Sequence, residues 1–201
     1  MGRAFHHATA RADGPAVIFR ETSLAGAWLV SPEPATDERG LFARLFCVET
    51  FRSKGLDGRL DQISTSFNAR AGTLRGLHLQ RPPHAEAKLV RVTSGAIFDV
   101  IVDLRRGSAT YGRWFGVELN AAERVQIYIP RGFAHGFQSL TDGAEIAYHI
   151  STPYAPEAQA GVRWDDPDLA IDWPSPQHAI ISERDRALPP LAQFQPVDAP
   201  C

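Results

Sequence analysis

The chain has 201 residues, with 21 Lys and Arg against 23 Asp and Glu and a formal net charge of −2. Hydrophobic residues make up 44% and charged residues 22%, which excludes a wholly disordered chain and fits one globular domain. The balanced charge gives no reason to expect nucleic-acid or anionic-membrane binding, and no run approaches the ~18 apolar residues of a membrane helix. Residues 1–20 lack the continuous apolar stretch of a signal peptide. The two cysteines, Cys47 in a strand-like run and Cys201 at the end, could pair only if the tail folded back. Both features predict a reducing, cytoplasmic setting.

In chain order, residues 1–20 mix Ala, Arg, His and Gly without period and are expected to form a mobile N-terminal segment. Residues 21–201 read as a single domain, with a Pro-rich, polar stretch from about Pro174 expected to pack over the site. Between them, apolar residues fall in short runs at 27–30, 41–46, 63–67, 74–79, 89–92, 97–104, 114–119, 125–129 and 144–150. Turn signals separate the runs, among them Asp37-Glu38-Arg39-Gly40, Pro82-Pro83, Ser94-Gly95 and Thr141-Asp142-Gly143. Helical period is confined to residues 48–54 and 182–187. Many short strands with few helices predict an all-β sandwich or barrel. No GxGxxG, GxxxxGK, CxxC or HExxH motif occurs, so dinucleotide-fold and P-loop readings fail.

Strand alternation then selects polar residues on inward faces. In Leu74-Arg75-Gly76-Leu77-His78-Leu79-Gln80, His78 shares a face with Leu74, Gly76 and Gln80, and Arg75 takes the other face with Leu77 and Leu79. Tyr148 shares a face with Ala144, Ile146 and Ile150, and Lys88 with Val90. A His, a Tyr and a Lys can thus point into one barrel mouth, although each alone reads equally well as packing or as a solvated side chain. Ile129-Pro130-Arg131-Gly132-Phe133-Ala134-His135 is more specific: a tight turn that delivers His135 onto the next strand. It resembles the second half-motif of cupins, a family of small β-barrels. The first half-motif, a His-x-His pair, is absent, because His78 and His84 are separated by Pro82-Pro83. A metal site of His78, His84 and His135, with Glu86, stays as an alternative. Otherwise His84 and Glu86 read as a solvated loop.

Further blocks carry a stronger resemblance. They are Asp37-Glu38-Arg39-Gly40-Leu41-Phe42, Gly72-Thr73-Leu74-Arg75-Gly76-Leu77-His78-Leu79-Gln80, Lys88-Leu89-Val90-Arg91-Val92, Gly95-Ala96-Ile97-Phe98-Asp99-Val100, the 129–137 turn, Tyr154-Ala155-Pro156-Glu157 and Trp164-Asp165-Asp166-Pro167. In this order and spacing they resemble the dTDP-4-dehydrorhamnose 3,5-epimerases over residues 37–190. The resemblance implies a cupin-like β jelly roll with a few short helices, a homodimer, a nucleotide-sugar substrate, and no metal or organic cofactor. It places the proton-abstracting histidine on His78, its paired carboxylate on Asp185, a pocket lysine on Lys88 and the proton-donating tyrosine on Tyr148. Pyrophosphate and sugar contacts fall on Arg39, Gln62, Ser64, Arg75 and His135. Arg184 takes a position that is often basic, and Tyr154 one near the nucleotide base.

Three positions depart from the common pattern: Ser64 stands where asparagine is usual, His149 where lysine is usual, and Arg44 where some members are acidic. They leave open the nucleotide, the sugar, and single versus double epimerisation, including a CDP- or GDP-linked substrate. A metal-dependent cupin dioxygenase and a non-catalytic sugar-binding cupin are the alternatives from other classes.

Overall fold

A computed structural model describes residues 16–198. Residues 1–15 and 199–201 lie outside the described residues, and so do the expectations made for them, Cys201 included. The strands are β1 (Val17–Glu21), β2 (Trp28–Pro32), β3 (Ala35–Asp37), β4 (Gly40–Phe42), β5 (Gln62–Asn68), β6 (Leu74–Gln80), β7 (Lys88–Ser94), β8 (Ala96–Asp103), β9 (Trp114–Asn120), β10 (Gln126–Ile129), β11 (Phe133–Ser139), β12 (Ala144–Ile150) and β13 (Gln159–Gly161). Two short helices, α1 (Val48–Ser53) and α2 (Glu183–Arg186), coincide with the two helical stretches read from the sequence. The all-β expectation holds.

Antiparallel pairing builds a six-stranded sheet in the order β1-β2-β10-β7-β12-β5 and a five-stranded sheet in the order β13-β6-β11-β8-β9. The two sheets close on each other as a flattened barrel, the jelly-roll arrangement expected. Period-two alternation decides which residues enter it. From the first sheet Leu29, Val90, Val92, Ile127, Ile129 and Ile146 meet Ile97, Ile101, Leu119, Phe133 and Phe137 of the second. Each such side chain removed from water contributes roughly 1.5–3 kcal/mol before entropy is counted. The alternate residue Leu89 faces out and packs with Val30, Phe51 and Tyr128 under α1.

Three sequence expectations change. Residues 17–20, grouped with the N-terminal segment, instead begin β1 and pair with β2. The run at 41–46 shortens to the β3–β4 hairpin, which leaves Leu41 and Phe42 exposed. The C-terminal stretch divides between two places: Ser182, Arg184 and Asp185 reach the site, while Phe194 and Val197 cover the back of the five-stranded sheet with Leu77, Leu79, Val100 and Val102. Strand β11 was visible in the sequence only as a turn and a histidine. It lies at the centre of the five-stranded sheet with all seven residues buried. His135, Gly136, Gln138 and Ser139 dilute its apolar pattern below the usual strand signal. Among the described residues, no helix is long and apolar enough to cross a membrane.

Candidate active site

The two sheets separate at one end of the barrel around a cavity of about 610 Å³. Gln62, Ser64, Lys88 and Tyr148 line it from the six-stranded sheet, and Arg75, His78 and His135 from the five-stranded sheet. Tyr154, Arg184 and Asp185 reach it from the loops and α2. The structure therefore gathers every proposed site residue except Arg39. Arg39 sits on the exposed β3–β4 turn, where its Nη2 donates to Asp37 Oδ2 at 2.6 Å.

Arg75 reaches the cavity against simple alternation, and the reason is local. His135 pairs with His78 but Phe137 pairs with Arg75, so three steps along β6 oppose two along β11. This bulge flips the parity, turning Arg75 to the same side as His78 while Leu77 and Leu79 face the back. Glycine is required on both strands. Gly76 has φ of +122°, and a Cβ there would stand 2.6 Å from Gly136 Cα. A Cβ on Gly136 would stand 2.6 Å from the Arg75 carbonyl oxygen.

The same bulge turns the Gly76 N–H toward Asp185 Oδ2, at 3.1 Å, while Asp185 Oδ1 lies 2.8 Å from His78 Nε2. Ser182 caps α2 by accepting from the Asp185 N–H at 3.1 Å, which fixes the carboxylate from its own side. Burial opposes the ionisation of Asp185, but hydrogen bonding to His78, the ring's charge, the Gly76 N–H and Ser182 outweigh it and hold the carboxyl below its ordinary value. An ionised carboxylate only accepts, so His78 Nε2 carries the proton and Nδ1 is the basic nitrogen.

A second histidine–carboxylate pair lies deeper. His135 Nε2 is 2.8 Å from Asp99 Oδ2, and the His135 ring meets Tyr148 edge-on at 6.0 Å. Burial, then the negative charge of Asp99, push the Tyr148 hydroxyl well above the ordinary tyrosine range, with Arg75 and the nearby Ser66 hydroxyl acting the other way. Tyr148 is therefore a protonated donor at any physiological pH. Lys88 Nζ reaches across from β7 to the His78 carbonyl oxygen at 3.3 Å. His149 lines a separate small recess with Leu89 and Tyr128, away from Tyr148's cavity, as alternation predicts.

At the mouth, Gln62 Nε2 donates to Ser64 Oγ at 3.0 Å while its Oε1 accepts from the Tyr154 N–H at 3.0 Å. Tyr154 Oη donates to Gln159 Oε1 at 2.7 Å, and Arg184 donates to the same oxygen. Tyr154 leaves its ring exposed there.

Sequence reading missed Asp99 and Gln159 as site residues and misplaced Glu86. Asp99 had a readable signal, a lone carboxylate at an inward position between Ile97 and Ile101. Glu86 is not a solvated loop residue: it is buried and its Oε1 lies 3.0 Å from Lys88 Nζ. His84 points instead to Glu157 at 3.8 Å. The alternative site of His78, His84, His135 and Glu86 does not assemble, and among the described residues no group of three His, Cys, Asp or Glu is placed to hold a metal.

Comparison with known proteins agrees with this geometry. The family model described as dTDP-4-dehydrorhamnose 3,5-epimerase matches residues 21–193. A dTDP-4-dehydrorhamnose 3,5-epimerase of Methanothermobacter thermautotrophicus is 48% identical over 177 residues, covering 87% of this chain and 95% of the relative. The crystal structure of dTDP-6-deoxy-D-glucose-3,5-epimerase from Legionella pneumophila, in complex with dTDP-4-keto-L-rhamnose, superposes with a TM-score of 0.85 at 35% identity, covering 92% of this chain and all (100%) of that one. NovW, a 4-keto-6-deoxy sugar epimerase from Streptomyces spheroides, gives a TM-score of 0.83 at 38% identity, with 89% of each chain covered. Sequence and structure match along nearly the same residues, so the cupin-like barrel and its chemistry have one origin: the chain belongs to the dTDP-4-dehydrorhamnose 3,5-epimerase family of carbohydrate isomerases.

Proposed function

We propose that the chain inverts C3 and C5 of a dTDP-linked 4-keto-6-deoxy sugar in deoxysugar biosynthesis. One observation carries the reading: a histidine held by a carboxylate and a protonated tyrosine line opposite walls of one cavity, with a lysine reaching between the sheets. His78 is taken as the base and not His135, because its side chain is 30% exposed to the cavity against 5%.

The hydrogens at C3 and C5 flank the C4 ketone and are weakly acidic. His78 Nδ1 takes one of them, and the C–H electron pair becomes the enolate double bond with negative charge on O4. The Lys88 ammonium stabilises that oxygen, an effect typically worth ~3 kcal/mol per donor. Tyr148 delivers a proton to the opposite face of the same carbon, which inverts the centre, and the tyrosinate and imidazolium return to their starting states through solvent. Each step falls to a side chain. Arg75 and Arg184 supply donors for the diphosphate, where a guanidinium fork pairs well with phosphate oxygens. The Tyr154 ring offers a face to the nucleobase.

The test is solvent-deuterium uptake, with purified protein and the dTDP-linked 4-keto-6-deoxyglucose in heavy water. Deuterium at both C3 and C5 with inversion is expected. Uptake at one centre would make the chain a monofunctional epimerase, and faster turnover of a CDP- or GDP-linked sugar would overturn the nucleotide. No uptake from any of the three would leave a binding protein.

We also propose a homodimer. Leu41 and Phe42 on the hairpin, and Ile63 and Phe67 on the outer face of edge strand β5, are large apolar side chains left exposed in one protomer. Arg39 lies outside its own protomer's cavity on that hairpin, so a second copy gives it a site to serve. Sedimentation at micromolar concentration is expected to show twice the chain mass. A monomer alone overturns the assembly and with it any role for Arg39 in the site.

A further inference from the structure

Glu86 has no place in the mechanism above, yet it is a buried carboxylate on the wall of the cavity. Its Oε1 lies 3.0 Å from Lys88 Nζ, and its Oε2 accepts the Gln80 backbone N–H at 3.0 Å. One carboxylate thus ties the lysine of β7 to the strand that carries His78. Lys88 completes the link by donating to the His78 carbonyl oxygen at 3.3 Å. A carboxylate at 5% side-chain exposure carries a large desolvation cost, which its two partners offset.

We infer that Glu86 is a positioning residue for the reaction: it holds the Lys88 ammonium charged and aimed into the cavity where O4 becomes negative. The inference rests on the reading of Lys88 as the cation at O4. Lys88 itself is 12% exposed, and its Nζ is held between Glu86 Oε1 at 3.0 Å and the His78 carbonyl oxygen at 3.3 Å. A carboxylate in contact stabilises a buried ammonium. The other ionisable groups on the cavity wall are Arg75 and His78 on β6, Arg184 and Asp185 on α2, His135 on β11, Tyr148 on β12 and Tyr154 in the loop after it. Arg131, nearby in the β10–β11 turn, is occupied by Asp57. Of these, Arg75 and Arg184 oppose a charged lysine, and Asp185 is committed to His78. Glu86 is the carboxylate in contact with Lys88.

At neutral pH the carboxylate has two opposing effects, since it keeps Lys88 protonated but also weakens the pull of the ammonium on the enolate. On the alkaline side only the first grows. The pH profile therefore reads the role directly.

The experiment measures kcat and KM for epimerisation from about pH 6 to about pH 10. The proteins are the wild type, Glu86→Gln, Glu86→Asp, Lys88→Arg and the Glu86→Gln/Lys88→Arg pair. Glutamine can keep the acceptor for the Gln80 N–H, and it removes the charge together with the oxygen that faces Lys88. Its alkaline limb in kcat is expected about one pH unit lower, a loss of about tenfold at the alkaline end, with KM changed far less. Glu86→Asp restores the charge and should follow the wild type. With arginine at 88 the cation stays charged throughout, so Glu86→Gln should no longer move the limb.

Loss by the same factor at every pH, or the same limb shift in the Lys88→Arg background, overturns the inference. So does a Glu86→Gln protein whose melting temperature drops by more than about 10 °C, which makes the role structural. A wild type that epimerises nothing at any pH defeats the proposed function instead, so the two failures are distinct.

Discussion

His78→Asn is expected to abolish deuterium uptake at both carbons while the protein still binds dTDP within about threefold of the wild type. The base acts on the sugar ring alone, whereas the diphosphate and nucleoside meet Arg75, Arg184 and Tyr154 elsewhere on the cavity wall. A positioned base typically contributes ~10²–10⁴-fold, and here two proton abstractions depend on it, so the loss belongs at or beyond the upper end of that range. Asparagine approximates the imidazole's size and can still hydrogen-bond to Asp185, which keeps α2 docked against the Gly76 N–H. Asp185→Asn is expected to cost less, because it disturbs orientation and tautomer but leaves the ring in place. Deuterium uptake and inversion are followed by NMR, and nucleotide affinity by calorimetry. Full uptake with asparagine at 78 would move the base to His135, which forms an equivalent pair with Asp99 at 2.8 Å but is only 5% exposed, edge-on against Tyr148's ring.

The class of fold was legible because period-two alternation and turn residues are local signals, and eight of the strands fall on the apolar runs or within a residue or two of them. Tyr148 and Lys88 were placed correctly by alternation because β12 and β7 run without a bulge across those positions. Arg75 was placed on the wrong face because alternation assumes an uninterrupted ladder, and the extra residue at Gly76–Leu77 is created by contact with Gly136 on a strand 60 positions away. Nothing within the Leu74–Gln80 segment announces it except glycine itself. Strand β11 was lost for a related reason: its polar residues are buried by partners from other strands, such as Asp99 for His135 and the Ser175 backbone for Gln138. Asp185 and Glu86 show the same limit from the side of charge. A carboxylate in a polar stretch reads as solvated until the fold brings His78 or Lys88 to it.

Tyr148→Phe separates exchange from inversion. The substitution keeps the ring that packs edge-on against His135 and removes only the hydroxyl. His78 can still take a proton, trade it with solvent and return it to the same face, so the variant is expected to go on incorporating deuterium with retention. Inversion needs a donor on the other wall, and its rate is expected to fall by ~10²–10⁴-fold, the usual contribution of a positioned acid. The ratio of retained to inverted product, read by NMR of the recovered sugar nucleotide, is therefore the decisive quantity. The competing donor is His149, one residue along β12. Its side chain lies on the other face of the strand in the recess with Leu89 and Tyr128. Burial, together with the charge of Arg91, lowers its ring below the usual histidine range, against the neighbouring Leu89 backbone, so it is neutral as well as remote. Wild-type inversion by Tyr148→Phe would assign the second proton to water entering the cavity, because His149 cannot reach it without breaking the β7–β12 pairing that sets its face.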